Sequence, residues 1–417
     1  MAGFYKKELI ETIKLAYPVI IGQLGHMMMG VVDSVMVGQI GAAPLAASSV
    51  AHGLFMIFMI FGIGVSMALS PLTAMAAGAK RYAECGVVFR QGFLVNIVIG
   101  ILLLFISYFG AEIIRYLNQP EEIVAQGSEY MRILAYSVLP VMVFQTYKQF
   151  SEGLSFMRPA MVITVLVNIF NVFANWVLIY GNLGMPALGL AGAGWATFGT
   201  RLIMAISFVI YVHTATRYKP FDPTLHYRKI DLDMIRKILR IGLPGGMQYF
   251  FEVAAFVGSA ILIGWLGTHA LAAHQIAINL ATISFMCATG IAAAAAIRVG
   301  HAVGRNDRRG IRGAGLVAFL LTAALMGTFG LVFIILRNYL PTLYIDDPQV
   351  VDIAASLLVI VALFQLSDGT QAVGIGVLRG IADAKVPMII TFIAYWIVGF
   401  PGAYLFGFIM DFGVEGV

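Results

Sequence analysis

Long apolar runs alternate with short breaks of charged, Gly and Pro residues along the whole chain. The runs predict helices over about 15–37, 48–76, 93–114, 131–150, 160–180, 188–213, 240–264, 270–297, 314–336, 353–377 and 387–410. A helix needs about 20 apolar residues to cross a bilayer. Barrel strands would be about ten residues long with alternating polarity, and no such alternation is present. The expected class is therefore an all-α polytopic membrane protein. One sizeable polar segment interrupts the pattern at 214–239, carrying Arg217, Lys219, Arg228, Lys229, Arg236 and Lys237. It divides the chain into an N-lobe of helices 1–6 (1–213), a cytoplasmic linker, and a C-lobe (240–417) of helices 7–11 and the start of a twelfth.

The two halves repeat. At one constant shift, Pro18 falls on Pro244, Gly38 on Gly264, Gly41 on Gly267, Gly64 on Gly290 and Gly78 on Gly304. Leu45-Ala46-Ala47 falls on Leu271-Ala272-Ala273, with no gap from Pro18 to Gly78. Small apolar residues match by chance, but helix-breaking residues in phase point to a duplication. Six helices per copy is an even number. The two six-helix lobes would then share one orientation, as in carriers with parallel repeats. The sixth helix opens at Gly189-Leu190-Ala191-Gly192, and its counterpart is Gly413-Val414-Glu415-Gly416. The twelfth helix is therefore expected to be missing from this chain.

Composition narrows the function. Hydrophobic residues make up 60% of the 417 and charged residues 11%, where a soluble domain has about 25% charged. This excludes a soluble enzyme, a disordered chain and a nucleic-acid partner; the lipid bilayer is the expected surrounding. Cys85 lies in a charged loop and Cys287 in an apolar run, so no disulfide framework is expected. The first apolar run has no small-residue cleavage site and reads as a retained helix. The net charge of +5 is unevenly placed. With the N-terminus cytoplasmic, the inner segments hold Lys6, Lys7, Lys80, Arg81, Arg90, Arg158, the linker cations, Arg305, Arg308, Arg309, Arg312, Arg379 and Lys385. The outer ones keep only Arg115, Arg132 and Arg337, against six acids. The positive-inside rule then predicts a cytoplasmic N-terminus.

Ionisable groups near the bilayer centre cost about 2.5–3.5 kcal/mol each, so each calls for a reason. Asp33, Glu252 and Asp368 fall inside spans, and none is repeated: Asp33 falls opposite Ser259 and Glu252 opposite His26. Asn168, Asn171 and Asn175 share one face of the fifth helix. Gln248 lies one turn before Glu252, and Gln275 with Asn279 forms an i, i+4 pair on the eighth helix. His26 lies roughly on the face of Asp33 and is a candidate proton relay, although a lone histidine more often only packs. Arg201, within the sixth helix, could be a counter-charge or could snorkel. There is no Walker A sequence, no Cys/His metal spacing and no nucleophile elbow, so neither ATP, a cofactor nor an enzyme is expected. A desolvated carboxyl can hold a proton at neutral pH. A proton, Na+ and an organic cation can then compete for one negative group, which turns binding into exchange. The Met- and Phe-rich stretches around His26-Met27-Met28-Met29, Phe55-Met56 and Phe250-Phe251 would suit varied lipophilic guests.

Several separated motifs resemble the multidrug and toxic compound extrusion (MATE) family, in its NorM-like bacterial branch. They are Pro18 with Val32-Asp33-Ser34-Val35-Met36-Val37-Gly38, Phe251-Glu252-Val253 after Pro244, Arg298-Val299-Gly300-His301, and Asp368-Gly369 with Leu378-Arg379-Gly380. The resemblance covers essentially the whole chain. It implies two six-helix lobes around a central cavity, and a monomeric antiporter in the bacterial inner membrane. Its partners would be small cationic substrates, exported in exchange for H+ or Na+. Asp33 looks like the family's first-helix acid, with Asn171, Asn175 and the sixth-helix hydroxyl Thr197 beside it. Glu252 and Asp368 look like the pair associated with cation binding, a possible Na+ site. Two positions depart. Phe364 stands where some sodium-coupled relatives carry a tyrosine, and Asn175 is an amide where some carry an acid. The coupling ion is thus left open between Na+ and H+. A lipid-linked precursor flippase of the same superfamily is the alternative, but it should line its cavity with cations rather than acids.

Overall fold

The computed structural model describes residues 2–117, 120–226 and 230–417; Arg228 and Lys229 of the linker lie outside them. The regular structure among the described residues is all helical. In the first half the helices are α1 (Ala2–Gly38), α2 (Ala42–Ser66), α3 (Leu69–Gly78), α4 (Tyr82–Gly110), α5 (Glu121–Tyr136), α6 (Val138–Gly153), α7 (Arg158–Tyr180) and α8 (Gly189–Thr214). The second half has α9 (Leu232–Gly264), α10 (Thr268–Gly304), α11 (Arg308–Leu336), α12 (Pro348–Gly380), α13 (Lys385–Phe392), α14 (Phe400–Tyr404) and α15 (Gly413–Gly416). Among the described residues, ten helical stretches are long and apolar enough to span a bilayer. The fourth expected span, 131–150, is not one of them. It is split at Ser137 into α5 and α6, and α5 carries Glu121, Glu122, Glu129 and Arg132. Leu102, Phe105, Phe109, Ile169, Leu320, Ile335 and Leu363 are each more than half exposed. Apolar side chains left outside are what a lipid solvent favours.

The duplication is visible in the backbone. Gly41 (φ 143°, ψ 165°) and Gly267 (φ 119°, ψ 170°) precede α2 and α10 in matching conformations. That region is essentially closed to residues with a Cβ. Lys80 (φ 59°) and Asn306 (φ 55°), a pair at the same shift, are both left-handed. So are Gly189 (φ 56°) and Gly413 (φ 58°). The copies also differ. α10 runs unbroken where the first half has α2 and α3, and α12 runs unbroken where it has α5 and α6. Where α7 is regular, the second half has two π-helical turns, Ile393–Gly399 and Leu405–Ile409, around Pro401.

The contacts define two compact units, Ile21–Gly246, and Met1–Ile20 with Met247–Val417. Their limits, Ile20 and Gly246, are themselves equivalent positions of the repeat, each two residues past an intrahelical proline, Pro18 or Pro244. In the first unit, the start of α9 crosses α2 at glycines. A Cβ on Gly64 would lie 2.7 Å from the Cα of Gly246, and one on Gly242 would lie 2.9 Å from the carbonyl oxygen of Val65. In the other unit the start of α1 meets α10 at the matching place: a Cβ on Gly290 would lie 2.3 Å from Ile20. There Arg298 grips the carboxylate of Glu8 and donates to its carbonyl (3.0 Å), while Arg309 stacks 4.8 Å from the ring of Phe4. Buried Phe89, Phe144, Tyr147, Phe150 and Phe208 form the first unit's aromatic core. The second unit's cores are smaller-grained, rich in alanine along α10.

Candidate functional site

In each unit, polar side chains gather around an acid singled out in the sequence. In the first, α1 brings Asp33 against α7 and α8. Asn175 Nδ2 donates to Asp33 Oδ1 (2.5 Å) and Thr197 Oγ1 donates to Asp33 Oδ2 (3.2 Å). Asn175 also donates to Asn171 Oδ1 (3.3 Å), and Asn171 donates to Thr200 Oγ1 (3.3 Å). Spacings of three and four residues place these groups along single helix faces. Asn171, Asn175 and Thr200 are fully buried. Asn175 Oδ1 has no hydrogen-bond partner among the described residues. Beside a carboxylate it is an oxygen acceptor with capacity to spare, which suits a small cation or a proton donor. Asn168 is used elsewhere, donating to the carbonyl of Gly25 (2.6 Å).

Arg201 does not snorkel. It is buried, donates from Nη1 to Ser137 Oγ (2.6 Å), and lies 5.3 Å from the centroid of Phe55. Asp33 and Tyr130 are its electrostatic neighbours. The break between α5 and α6 makes this docking possible. Ser137 Oγ donates to its own helix at the Leu134 carbonyl (2.6 Å) and so presents its lone pair to the guanidinium. Tyr130, on α5, is buried; its proximity to Asp33 carried no signal in the sequence, where it reads as one more aromatic in an amphipathic turn. His26 is half-buried on α1 and makes no hydrogen bond to Asp33 among the described residues. It feels the positive charges of Lys148 and Arg201.

In the other unit, Glu252 on α9 is 7% exposed and Gln248, one turn earlier, 2%. Glu252 feels the charges of Asp368 on α12 and of Arg379. Arg379 donates to the Tyr249 hydroxyl (3.4 Å) with its guanidinium 5.5 Å from that ring. No hydrogen bond or ion pair reaches the carboxylates of Glu252 and Asp368 among the described residues. Gln275 lies exposed on α10, and Asn279 is half-buried one turn on. Phe364, one turn before Asp368, is 38% exposed and has no hydroxyl to offer. Two further residues come close. Gln371 Nε2 donates to the Tyr395 hydroxyl (3.2 Å), and the Tyr395 ring packs 5.9 Å from that of Phe256, one turn after Glu252.

Polar clusters around half-buried or buried acids, set among long apolar helices, are what a polytopic membrane carrier needs. The chain belongs to the MatE family, whose model matches it at 18–177 and again at 244–405; it is a multi-pass membrane transporter, not an enzyme. The two matches begin at Pro18 and Pro244, at the phase of the duplication. It is 35% identical over 411 residues to the multidrug resistance protein NorM of Vibrio vulnificus (strain YJ016), covering 99% of this chain and 90% of that one. It is likewise 35% identical over 407 residues to the multidrug resistance protein MdtK of Photorhabdus laumondii, covering 97% and 88%. In fold it is similar to the crystal structure of the eukaryotic MATE transporter AtDTX14, with a TM-score of 0.90 at 20% identity, covering 99% of this chain and 92% of that one.

Proposed function

We propose that the protein is a multidrug efflux antiporter that exports amphipathic organic cations in exchange for H+ or Na+. The observation that carries this reading is the set of three carboxylates placed within spans. Asp33 is held by neutral donors beside an orphaned amide oxygen. Glu252 feels the charge of Asp368, and no hydrogen-bond donor reaches either carboxylate among the described residues. Such groups bind a cation because nothing else balances them, and the cost of leaving them bare makes exchange preferable to simple release. The names of the Vibrio and Photorhabdus relatives support drugs as the exported class. Bacterial relatives support the inner membrane as the location, and the distribution of cations supports a cytoplasmic N-terminus.

The substrate enters from the cytoplasm and takes a carboxylate. On the outer side a proton or Na+ displaces it. One ion exchanged for one monocation is electroneutral, so only the ion gradient drives the cycle. A second ion would add about 2.3 kcal/mol per charge per 100 mV of membrane potential.

The test is ethidium transport in everted vesicles. Glu252→Gln and Asp368→Asn are each expected to abolish ion-driven transport while the protein inserts in normal amount. Normal transport by both variants would remove the C-lobe pair from the mechanism.

A further inference from the structure

The first unit buries a cation that the transport reading leaves without a task. Arg201 on α8 is 9% exposed, and Ser137 and Phe55, which hold it, are fully buried. A charge kept in an apolar interior is costly and calls for a reason. Helix spacing places it near the first-helix acid. Thr197 donates to Asp33 Oδ2 (3.2 Å), and Arg201 is four residues on, one turn along the same face of α8.

Asp33 and Arg201 feel each other's charge, yet no hydrogen bond or ion pair joins them among the described residues. The guanidinium is instead tethered to Ser137 Oγ (2.6 Å) and to the ring of Phe55, 5.3 Å away. The tether is itself fixed. Ser137 Oγ donates to the Leu134 carbonyl (2.6 Å) at the break between α5 and α6, which leaves its lone pair to the guanidinium. A direct ion pair would cancel the acid; a tethered charge only weighs on it through space.

The charge count gives the consequence. With Asp33 ionised, the two groups sum to zero. A monocation seated on Asp33 brings the sum to +1 in surroundings where like charges repel more strongly than in water. A carboxylate without such a neighbour would hold its cation tightly, and tight binding of the ground state does not speed turnover.

We infer that Arg201 is a positioning residue that keeps Asp33 exchangeable, a tethered cation that loosens the acid's hold on the organic substrate and so speeds its release. The inference rests on the antiporter reading, in which Asp33 takes the substrate, and adds what makes the substrate leave.

The test is equilibrium binding of ethidium to purified protein carrying Glu252→Gln and Asp368→Asn, so that the other acids do not contribute. It is paired with ethidium export by vesicles holding the same Arg201 and Ser137 variants with Glu252 and Asp368 intact. Arg201→Gln is expected to bind ethidium about tenfold more tightly, the scale of one unit charge acting through protein. Its export at saturating ethidium should slow, so that the half-saturating concentration and the turnover fall together. A merely structural role would loosen binding instead. Arg201→Lys keeps the charge and should return both quantities toward the unaltered ones. Ser137→Ala frees the guanidinium to swing onto Asp33 and is expected to weaken binding, the opposite sign. Asp33→Asn in the same background should lose saturable binding. That loss, with unaltered or weaker binding in Arg201→Gln, would overturn the inference and leave the reading of Asp33 standing. If Arg201→Gln does not accumulate, Ser137→Ala decides alone, and tighter or unaltered binding there would overturn it. Binding retained in Asp33→Asn, or absent before Asp33 is changed, would overturn the reading of Asp33 and the inference with it.

Discussion

The donors that reach Asp33 among the described residues are neutral, which leaves its charge for a cation in the proposed exchange. An arginine or lysine bonded to it would cancel its charge permanently; Asn175 and Thr197 only orient it. Arg201, a buried cation whose charge Asp33 feels, is engaged by Ser137 and the face of Phe55. Thr197→Val keeps the shape and removes the donor to Oδ2. It is expected to slow ion-driven export about tenfold with insertion unchanged, on the usual value of a hydrogen bond to a charged group. Quantitative transport by vesicles containing matched amounts of protein checks this; an unchanged rate would take the hydroxyl out of the site. The acids, and the asparagine face of α7, were legible in the sequence because ionisable and amide groups are conspicuous in apolar runs. Tyr130, Tyr395 and Gln371 were not. A tyrosine or glutamine in or beside a span is ordinary, and only the fold tells which one lies in the neighbourhood of an acid.

The helices are set by the apolar runs, and their ends by a few residues of special conformation. The spans expected from the sequence agree with the observed helices to within several residues at most ends, but α1, α4, α5 and α9 start well before the apolar runs do, because their opening turns carry charged residues. The break at Ser137 and the π turns after α13 were not legible. Serine is tolerated inside spans, and a π turn depends on what the helix packs against. Yet these irregularities place Arg201 and Tyr395. Gly41 and Gly267, by contrast, are strictly local requirements. Gly41→Ala and Gly267→Ala are each expected to destabilise by about 1–3 kcal/mol, the cost of forcing a Cβ into that backbone region. Thermal unfolding in detergent should show both variants shifted downward by similar amounts. A shift in only one would mean that the two turns are not equivalent.

At the scale of the molecule, the duplication was legible through Pro and Gly in phase, and the family match begins at both copies of that phase. The composition of the compact units was not legible. Continuous helices run across the limits at Ile20 and Gly246, and no polar break marks them. The straight division at 214–239 follows polarity, whereas the compact units follow contacts such as the glycine crossings at Gly64 and Gly290. The charge distribution makes its own prediction about orientation. Single cysteines at Lys80 and Asn306, in a background without Cys85 and Cys287, should react with a membrane-impermeant maleimide in everted vesicles and not in intact cells. Labelling in intact cells would reverse the orientation.

The central claim is that an ion gradient, and nothing else, moves the organic cation. Its most direct test is ethidium flux in proteoliposomes holding only the purified protein. Flux is measured under an imposed Na+ gradient, under an imposed pH gradient, and with neither. The account predicts uphill ethidium movement under at least one gradient, none without a gradient, and none with Glu252→Gln. Ethidium that merely equilibrates at the same rate whether or not a gradient is present would contradict it, and would make the protein a passive pathway.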